Sequence, residues 1–419
     1  MGSLGSERGR VSGERGVVAV LCLILLACVL VVTLSMSSEI GLSLRTTANG
    51  LRIAQAERVA AAGAEQALHQ AATLSGWRSF VADAGPDTPL VSDVDFAGGR
   101  FTVYVYDPDN QALILDPMRP LVIRSIGVYQ DTTRTLCLRA VAPIHEAVTY
   151  AVCSTMNNWD LDLSEGITLH GAVRANEDVR VTDSSGVHVV GDLYSPSAAF
   201  VTPSLLDADT QHITADRSIS MPEPDFQWFI GRASRVNATT LTNAVLTPLV
   251  NLYGLINLDG LYYIDGGGGP VEIENLYLQG TLVINNTNGV TFKKGLIHKA
   301  VRLDYPAILC DAPWGGLVFE LDNSLSELTM ILDLNGDGDL LDALPSEING
   351  IVYNSSLLNG FVKPGSAAGV TVRGSVIART LSLHGANVTI DQNLDLITHP
   401  VVGFQGIGLV RVAGSLVMY

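Results

Sequence analysis

The chain has 419 residues, of which 47% are hydrophobic and 16% charged, and 42 acidic against 25 basic residues give a net charge of −17. This length accommodates roughly two or three domains. Low charge together with 41 glycines is typical of a mainly β body with many turns. The acidic balance excludes a nucleic-acid-binding protein, because phosphate recognition requires clustered Lys and Arg.

The N-terminal region predicts a membrane anchor. A leader containing Arg8, Arg10 and Arg15 precedes an uncharged apolar run from Val17 to Leu34. A transmembrane helix needs about 20 residues, whereas a secretory apolar region has about 7–15 and ends in small residues. The run ends in TLSMSSEIG, without such a cleavage triplet, so residues 17–36 are predicted to span the membrane, with a cleaved signal as the alternative. The arginines place leader residues 1–16 in the cytoplasm.

Residues 37–76 are predicted to continue as an extracytoplasmic helix, because they lack proline and are rich in alanine. If anchor and extension form one helix, it reaches about 88 Å at about 1.5 Å per residue. Apolar residues at helical spacing predict one apolar face. These residues are Ile40, Leu44, Leu51, Ala54, Val59, Ala62 and Leu68. The extension is either a plain stalk or a helix that packs against like helices or its own β domain.

The segment RGVVAVLCLILLACVLVVTLSMS, followed by AERVAAAGAEQAL, resembles the N-terminal region of PilX-type minor pilins and the related pseudopilins of type II secretion. The resemblance covers about residues 14–75 and implies an anchored subunit that assembles with other pilin-like subunits. Major pilins carry a glutamate at the fifth position after the processing glycine. Counted from Gly16, that position is Leu21, so processing at Gly16 is left open.

Residues 77–145 are predicted to form a small antiparallel β-meander. Residues 76–98 carry Pro, Gly and Asp and predict a loop. Three segments of alternating polarity follow, Arg100–Tyr106, Leu121–Tyr129 and Thr133–Val141. A long helix followed by such a meander is the pilin-like α+β unit.

Residues 146–419 are predicted to form a mainly β domain, with an insertion near residues 204–263. A pattern of apolar residues alternating up to a glycine recurs in this region, which favours short strands bent at glycines in a parallel β-helix. Its copies are Ile167–Val173, Val187–Leu193, Leu276–Leu282, Val370–Val376 and Leu381–Gly385. A β-sandwich is the alternative architecture.

The second half also resembles a C-terminal domain that follows PilX-like N-termini in some bacterial envelope proteins. The matching pieces are GTLV (Gly280–Val283), YPAI (Tyr305–Ile308), the LSE triplet (Leu325–Glu327) and NGIVYNSS before GSVIA. The resemblance implies a structural domain and brings no activity with it.

One acidic segment predicts a structural calcium site. Oxygen-bearing side chains alternate along it, and a glycine at the sixth position matches the first half of an EF-hand-type loop. The predicted ligands are Asp333, Asn335, Asp337, Asp339 and Asp342. The twelfth position is Leu344, so Asp342 at the tenth is expected to supply the last carboxylate. An acidic, solvated turn is the alternative.

Other residues with reactive side chains do not form a catalytic pattern. His170 and His384 precede the repeat glycine in two copies, where equivalent outward positions explain both. The chain has no G-x-S-x-G elbow. Outside the apolar run, Cys137, Cys153 and Cys310 cannot all pair, and Cys137–Cys153 is one candidate bridge. The chain is therefore predicted not to be an enzyme.

These patterns predict a PilX-like minor pilin or pilus-assembly subunit, single-pass in the bacterial inner membrane, with most of the chain periplasmic or extracellular. Its expected partners are the inner membrane, other pilin-like subunits, and a surface polysaccharide or protein. The alternatives are a membrane-tethered envelope structural protein unrelated to pili and a tethered β-helix carbohydrate-active enzyme, which would need clustered carboxylates.

Overall fold

The computed structural model describes residues 11–73, 81, 86–108, 120–164, 166–183, 186–196, 211–215, 217–313, 315–321, 324–359, 369–384, 387–398, 401–406 and 409–419. Leader residues 1–10, residues 204–210 of the predicted insertion and Gly385 of the last repeat copy lie outside these ranges.

The chain divides into two units. The first comprises Met1–Asn110, Leu121–Ala140 and Arg411–Tyr419, and the second comprises Gln111–Pro120 and Val141–Val410. The predicted β-helix-like domain ran to residue 419, whereas the contacts place the last nine of these residues, Arg411–Tyr419, in the first unit. In the sequence, the mainly β second unit thus lies between two parts of the first unit. The alternation of apolar and polar residues does not predict this arrangement.

The first unit begins with α1, one continuous helix of 63 residues from Val11 to Thr73. At about 1.5 Å per residue its length is about 94 Å. Its first part carries exposed aliphatic side chains, and its last part buries a stripe of small residues at helical spacing. The buried residues of this stripe are Ala56, Val59, Ala60, Ala64, Ala67 and Ala71.

This stripe differs from the predicted apolar face. Ile40, Leu44 and Leu51 are exposed, and of the predicted set only Val59 is buried among the described residues. The reason is close approach of the helix to a strand, since a Cβ added to Gly127 would meet the backbone of Ala56 and Ala60 at 2.4–2.9 Å. Only small side chains fit on a helix face that lies this close to a sheet.

α1 packs on an antiparallel sheet of the first unit. Its strands are β1 (Pro89–Phe96), β2 (Gly99–Tyr106), β3 (Leu121–Tyr129), β4 (Thr132–Val141), β27 (Val410–Arg411) and β28 (Val417–Met418). Strands β2, β3 and β4 match the three predicted segments. β1 lies in the predicted loop 76–98, where it pairs with β2 through register shifts and has no strict alternation of buried residues.

The second unit is built from many short strands. They are β5 (Val152–Ser154), β6 (Leu161–Ser164), β7 (Ile167–His170), β8 (Val173–Ala175), β9 (Val179–Asp183), β10 (His188–Val190), β11 (Leu193–Ser195), β12 (His212–Thr214), β13 (Ser234–Arg235), β14 (Thr240–Thr247), β15 (Val250–Asn251), β16 (Leu261–Asp265), β17 (Pro270–Gln279), β18 (Thr281–Asn285), β19 (Gly289–Lys299), β20 (Ile308–Cys310), β21 (Leu317–Glu320), β22 (Leu325–Ser326), β23 (Ala343–Leu344), β24 (Ser346–Asn359), β25 (Val370–Leu383) and β26 (Val388–Asp391). Its helices are α2 (Phe226–Ile230), α3 (Glu327–Met330), α4 (Asp395–Thr398) and a 3-10 helix, Glu146–Thr149.

Strands of the large sheet pair in parallel register, except β14 with β15, which is antiparallel. Because the first unit has an antiparallel sheet, the sheets of the chain are mixed. The order of pairing does not follow the sequence. β25 pairs with β24 on one side and with β5, β6 and β26 on the other, so the first strands of the unit stack on its last ones.

The predicted insertion near 204–263 is partly corrected. β13 pairs with β16, and β14 pairs with β17, so this stretch contributes strands to the stack. Its short helix α2 belongs to a second apolar cluster with Tyr305 and Phe404, which covers one outer sheet face. The strand pattern was obscured there because β14 alternates only as far as Thr242, bends at Asn243 with a φ of +51°, and then buries four consecutive residues, Ala244–Thr247.

Candidate functional site

The first part of α1 exposes aliphatic side chains, with Leu25 at 62% and Leu26 at 67% exposure. A stretch within Gly16–Ala71 is long and apolar enough to cross a membrane. Length and composition of this kind fit an anchor and a signal sequence alike.

The acidic segment is held on the large sheet by its own apolar residues. β22 and β23 close its ends as an antiparallel pair, Leu325 opposite Leu344. Leu325, Met330 and Leu334 pack in one cluster with three outward side chains of the sheet, Val245, Tyr277 and Ile297. The Lys299 ammonium also donates to the Leu334 carbonyl at 2.9 Å. The acidic segment is therefore held in place by contacts with strands of the large sheet.

Glu327, on α3, is the central carboxylate of this segment, although the loop pattern does not include it. Its side chain is fully buried. Oε1 accepts from the Leu334 N–H at 2.7 Å, and Oε2 accepts from the Asp342 N–H at 3.2 Å. One ligand oxygen from each of Glu327, Asp339 and Asp342 lies within 4.8 Å of the others. A glutamate inside the apolar run LSELTMIL was the only sequence indication of this role.

The other predicted ligands shape the turn. The Asp333 carboxylate accepts from the N–H groups of Gly336 at 2.5 Å and Gly338 at 2.9 Å. Asp337 Oδ1 accepts from the Asp339 N–H at 3.0 Å. The Asn335 amide nitrogen donates to Asp337 at 3.0 Å and to Asp342 at 2.6 Å. The structure therefore brings Asp339 and Asp342 together with Glu327, and links Asn335 and Asp337 to them by hydrogen bonds.

The electrostatics of this cluster suit a cation. Desolvation raises the pKa of Asp342, and the negative charges of Asp337, Asp339 and Glu327 raise it further. Hydrogen bonds from the Asp339 N–H and the Asn335 amide lower the pKa of Asp337. Hard oxygen donors are the ligands Ca²⁺ takes, at about 2.3–2.6 Å each. Carboxylate oxygens within 4.8 Å of one another can share such an ion.

The two histidines of the repeat, His170 and His384, have different neighbours. His170, on β7, is in register with Asp391 on β26, and their side chains are 3.9 Å apart. His384 follows β25, and its two ring nitrogens face the Ser164 hydroxyl at 2.7 Å and the Ser382 hydroxyl at 2.5 Å. The Ser164 and Ser382 hydroxyls thus occupy both ring nitrogens of His384.

The described cysteines are unpaired, including Cys137 and Cys153. Burial raises the pKa of the Cys153 thiol to about 12 and also raises that of Cys310. Thiols of this kind are packing residues, because the reactive form is the thiolate.

No family model and no curated protein matches the chain. Among solved structures it is similar to the competence-associated pilin ComZ from Thermus thermophilus, with 12% identity and a TM-score of 0.33. The match covers 88% of this chain and 97% of that one. A TM-score this low assigns neither fold nor function.

Proposed function

We propose that the chain is a membrane-anchored, pilin-like protein of the bacterial envelope, and more specifically a PilX-like minor pilin or pilus-assembly subunit. The observation that carries the proposal is α1. One continuous helix combines an exposed aliphatic part with a part whose alanine face packs on an antiparallel sheet. Because the C-terminal part of the helix packs on the sheet, its exposed apolar N-terminal part is available to a bilayer or to neighbouring helices.

The orientation and partners belong to the same proposal. The arginine-containing leader supports a cytoplasmic N-terminus and an inner-membrane location. The second unit is a parallel β-helix, supported by the parallel pairing of β17 with β19 and of β24 with β25, and it displays a surface for assembly or for adhesion to a polysaccharide or protein. The proposed role is structural rather than catalytic.

Membrane retention tests the anchor. Leu21→Lys/Leu25→Lys/Val29→Lys places three charges in the apolar run, each costing about 3 kcal/mol at the centre of a membrane helix, which together exceed the roughly 0.3–0.6 kcal/mol that each remaining Leu, Ile or Val contributes. We expect this full-length variant to leave the membrane fraction after carbonate extraction, while Glu39→Lys, outside the run, stays. Equal retention of both variants contradicts the anchor.

Shearing of surface filaments separates the pilin proposal from a tethered envelope protein unrelated to pili. A pilus subunit leaves the cell with the sheared filaments and requires the pilus assembly machinery for its surface exposure. A protein that remains wholly in the inner membrane after shearing supports the envelope alternative.

We also propose that the acidic segment binds structural Ca²⁺ through Asp339, Asp342 and Glu327, with Asp333, Asn335 and Asp337 completing or shaping the site. Extracellular sites have Kd values of about 10⁻⁴–10⁻³ M. At ten times Kd, binding stabilises the folded chain by about 1.4 kcal/mol.

Isothermal titration and calcium-dependent unfolding test this site. We expect Asp339→Asn/Asp342→Asn to abolish the calcium-induced rise in Tm, whereas Asp259→Asn, an exposed aspartate outside the segment, retains it. Since Asp342 has a raised pKa, protons compete for its carboxylate at higher pH than for an ordinary aspartate, so calcium affinity should fall as the pH is lowered. Equal Tm values with and without calcium in the native chain overturn the site.

A further inference from the structure

The segment between β14 and β16, which contains the short strand β15, exposes many aliphatic side chains. It is here called the apolar loop (residues 248–258). Five of its aliphatic side chains point into solvent. They are Leu249 at 76% exposure, Leu252 at 74%, Leu255 at 80%, Ile256 at 55% and Leu258 at 73%. Single exposed leucines are ordinary, but a contiguous group of this kind marks a surface that contacts another apolar phase.

The apolar loop also lacks charge. The sequence contains no Asp, Glu, Lys or Arg between Arg235 and Asp259, in a chain whose net charge is −17. The flanking Arg235 is itself occupied, since its guanidinium lies 3.3 Å from the Asp265 carboxylate. The residues of the apolar loop themselves therefore carry no charge for an anionic headgroup or an acidic peptide to bind.

Polar groups of the apolar loop are hydrogen-bonded within the unit. Asn251 donates to the Leu255 carbonyl at 2.7 Å and accepts from the Tyr253 N–H at 3.0 Å. Asn257 donates to the Arg232 carbonyl at 2.7 Å and accepts from the Asp259 N–H at 2.9 Å. Both asparagines thus turn inward to the backbone. In hydrocarbon an unsatisfied polar group costs several kcal/mol, so this arrangement suits entry into an apolar phase.

Strand addition is disfavoured at the same place. β15 already pairs with the end of β14, Asn251 opposite Leu246 and Val250 opposite Thr247. Further along β14, the Tyr253 hydroxyl donates to the Thr242 carbonyl at 3.2 Å and accepts from the Thr242 N–H at 3.4 Å. A polypeptide that docks by extending the sheet needs these backbone groups free. What remains exposed is mainly aliphatic carbon.

We propose that the apolar loop inserts into the apolar region of a lipid bilayer, as a second membrane contact of this chain. Neutral, exposed leucines beside asparagine amides that bond to the backbone match hydrocarbon, which requires neither charge nor backbone hydrogen bonds. The proposed anchor helix holds the chain at a membrane, so this inference rests on the proposed function.

Site-specific photo-crosslinking in the full-length chain, reconstituted into phosphatidylcholine liposomes, tests the proposal. Benzoylphenylalanine replaces Leu255 in one sample, and in a second it replaces Leu394, a leucine of the same unit that is 65% exposed. A third sample carries it at Leu25 in α1. We expect lipid adducts by mass spectrometry at 255 and at 25, and only a background yield at 394.

The outcomes separate this inference from the anchor. Lipid adducts at 25 but only background at 255 overturn the lipid contact and leave the anchor intact. No adduct at 25 overturns the anchor. A crosslinked dimer at 255 instead of lipid adducts shows that a second copy covers the loop, which also overturns the proposal. Leu252→Ser/Leu258→Ser, with the probe kept at 255, should lower the lipid yield severalfold, because two of the inserting side chains are lost; an unchanged yield contradicts insertion.

Discussion

His298 shows how one residue can connect segments of the second unit that are distant in sequence. The side chain is buried. Nε2 donates to the Gly280 carbonyl at 2.6 Å, and Nδ1 accepts from the Asn349 N–H at 3.1 Å. Both ring nitrogens are used by a neutral imidazole with its proton on Nε2. Protonation of Nδ1 would place an N–H against the N–H of Asn349.

This geometry predicts acid sensitivity. Burial lowers the pKa of His298 from 6.5 to about 4, because desolvation disfavours the charged ring. The unfolded chain binds the proton at higher pH than the folded chain, so stability is complete above about pH 6.5. It is lost as the pH falls towards 4, by about 3 kcal/mol in total.

Unfolding of the detergent-solubilised chain, measured at pH 7.5, 6 and 5, checks this expectation. His298→Gln retains a donor and an acceptor but does not titrate in this range. The difference in unfolding free energy between the native chain and the variant should therefore shrink with falling pH. A difference independent of pH would show that His298 does not carry the effect.

At the scale of the element, three of the repeat glycines lie between successive strands. Gly171, Gly191 and Gly280 have φ values of +129°, +144° and +119°. A Cβ on Gly280 would collide with the carbonyl of Gly260, which precedes the neighbouring strand β16. Glycine is needed at position 280 for two reasons, the left-handed backbone and the close approach of Gly260.

Gly280→Ala should therefore destabilise the chain by about 2 kcal/mol or more, through strain and steric overlap together. Gly267→Ala is the matched control. Its φ is +59°, but a Cβ there would have nothing within 4 Å, so only backbone strain of about 1 kcal/mol is expected. Urea midpoints of the two variants give the comparison. Equal losses of stability in the two variants would indicate that the close approach of Gly260 is not the reason for glycine at position 280.

At the scale of the whole molecule, the C-terminal residues return to the first unit. The Tyr419 N–H donates to the Thr135 carbonyl at 2.8 Å, and the Tyr419 carbonyl accepts from the Thr135 N–H at 3.1 Å. The Val412 N–H donates to the Arg139 carbonyl at 2.9 Å. These bonds cover the edge of β4, which would otherwise present unpaired backbone groups.

Deletion of Arg411–Tyr419 should loosen the first unit and leave the second unchanged. We expect faster proteolysis within residues 121–141, because β4 becomes an open edge strand. Cleavage sites mapped by mass spectrometry in the native and the shortened chain give the measurement, and cleavage in β16–β19 is the internal control. Unchanged cleavage of β3 and β4 would show that the returning strands do not stabilise this sheet.

Much of the local structure could be predicted from pattern. The apolar run and the alanine-rich extension predicted a long helix, and α1 extends from Val11 to Thr73. Period-two alternation located β2, β3 and β4, whereas β1 lacked that alternation. The face that α1 buries could not be predicted from hydrophobicity. Alanine is needed there because the backbone of α1 lies close to Gly127, a contact that the sequence pattern does not show.

The candidate site shows the same division. The alternation of oxygen-bearing side chains identified the acidic loop, since turn chemistry is local. Glu327 was missed because its role comes from three backbone N–H groups, those of Leu334, Asn335 and Asp342, that folding brings to it. The calcium ligation itself is a prediction that titration must decide.

The sequence by itself therefore determined the anchor-like helix, the mainly β body and the glycines between strands, because each depends on residues within one turn or one strand. Only the tertiary structure decided the stacking of β5 on β25, the insertion of the second unit into the first and the outward leucines of the apolar loop. These depend on which distant segments meet, and no local periodicity records that choice.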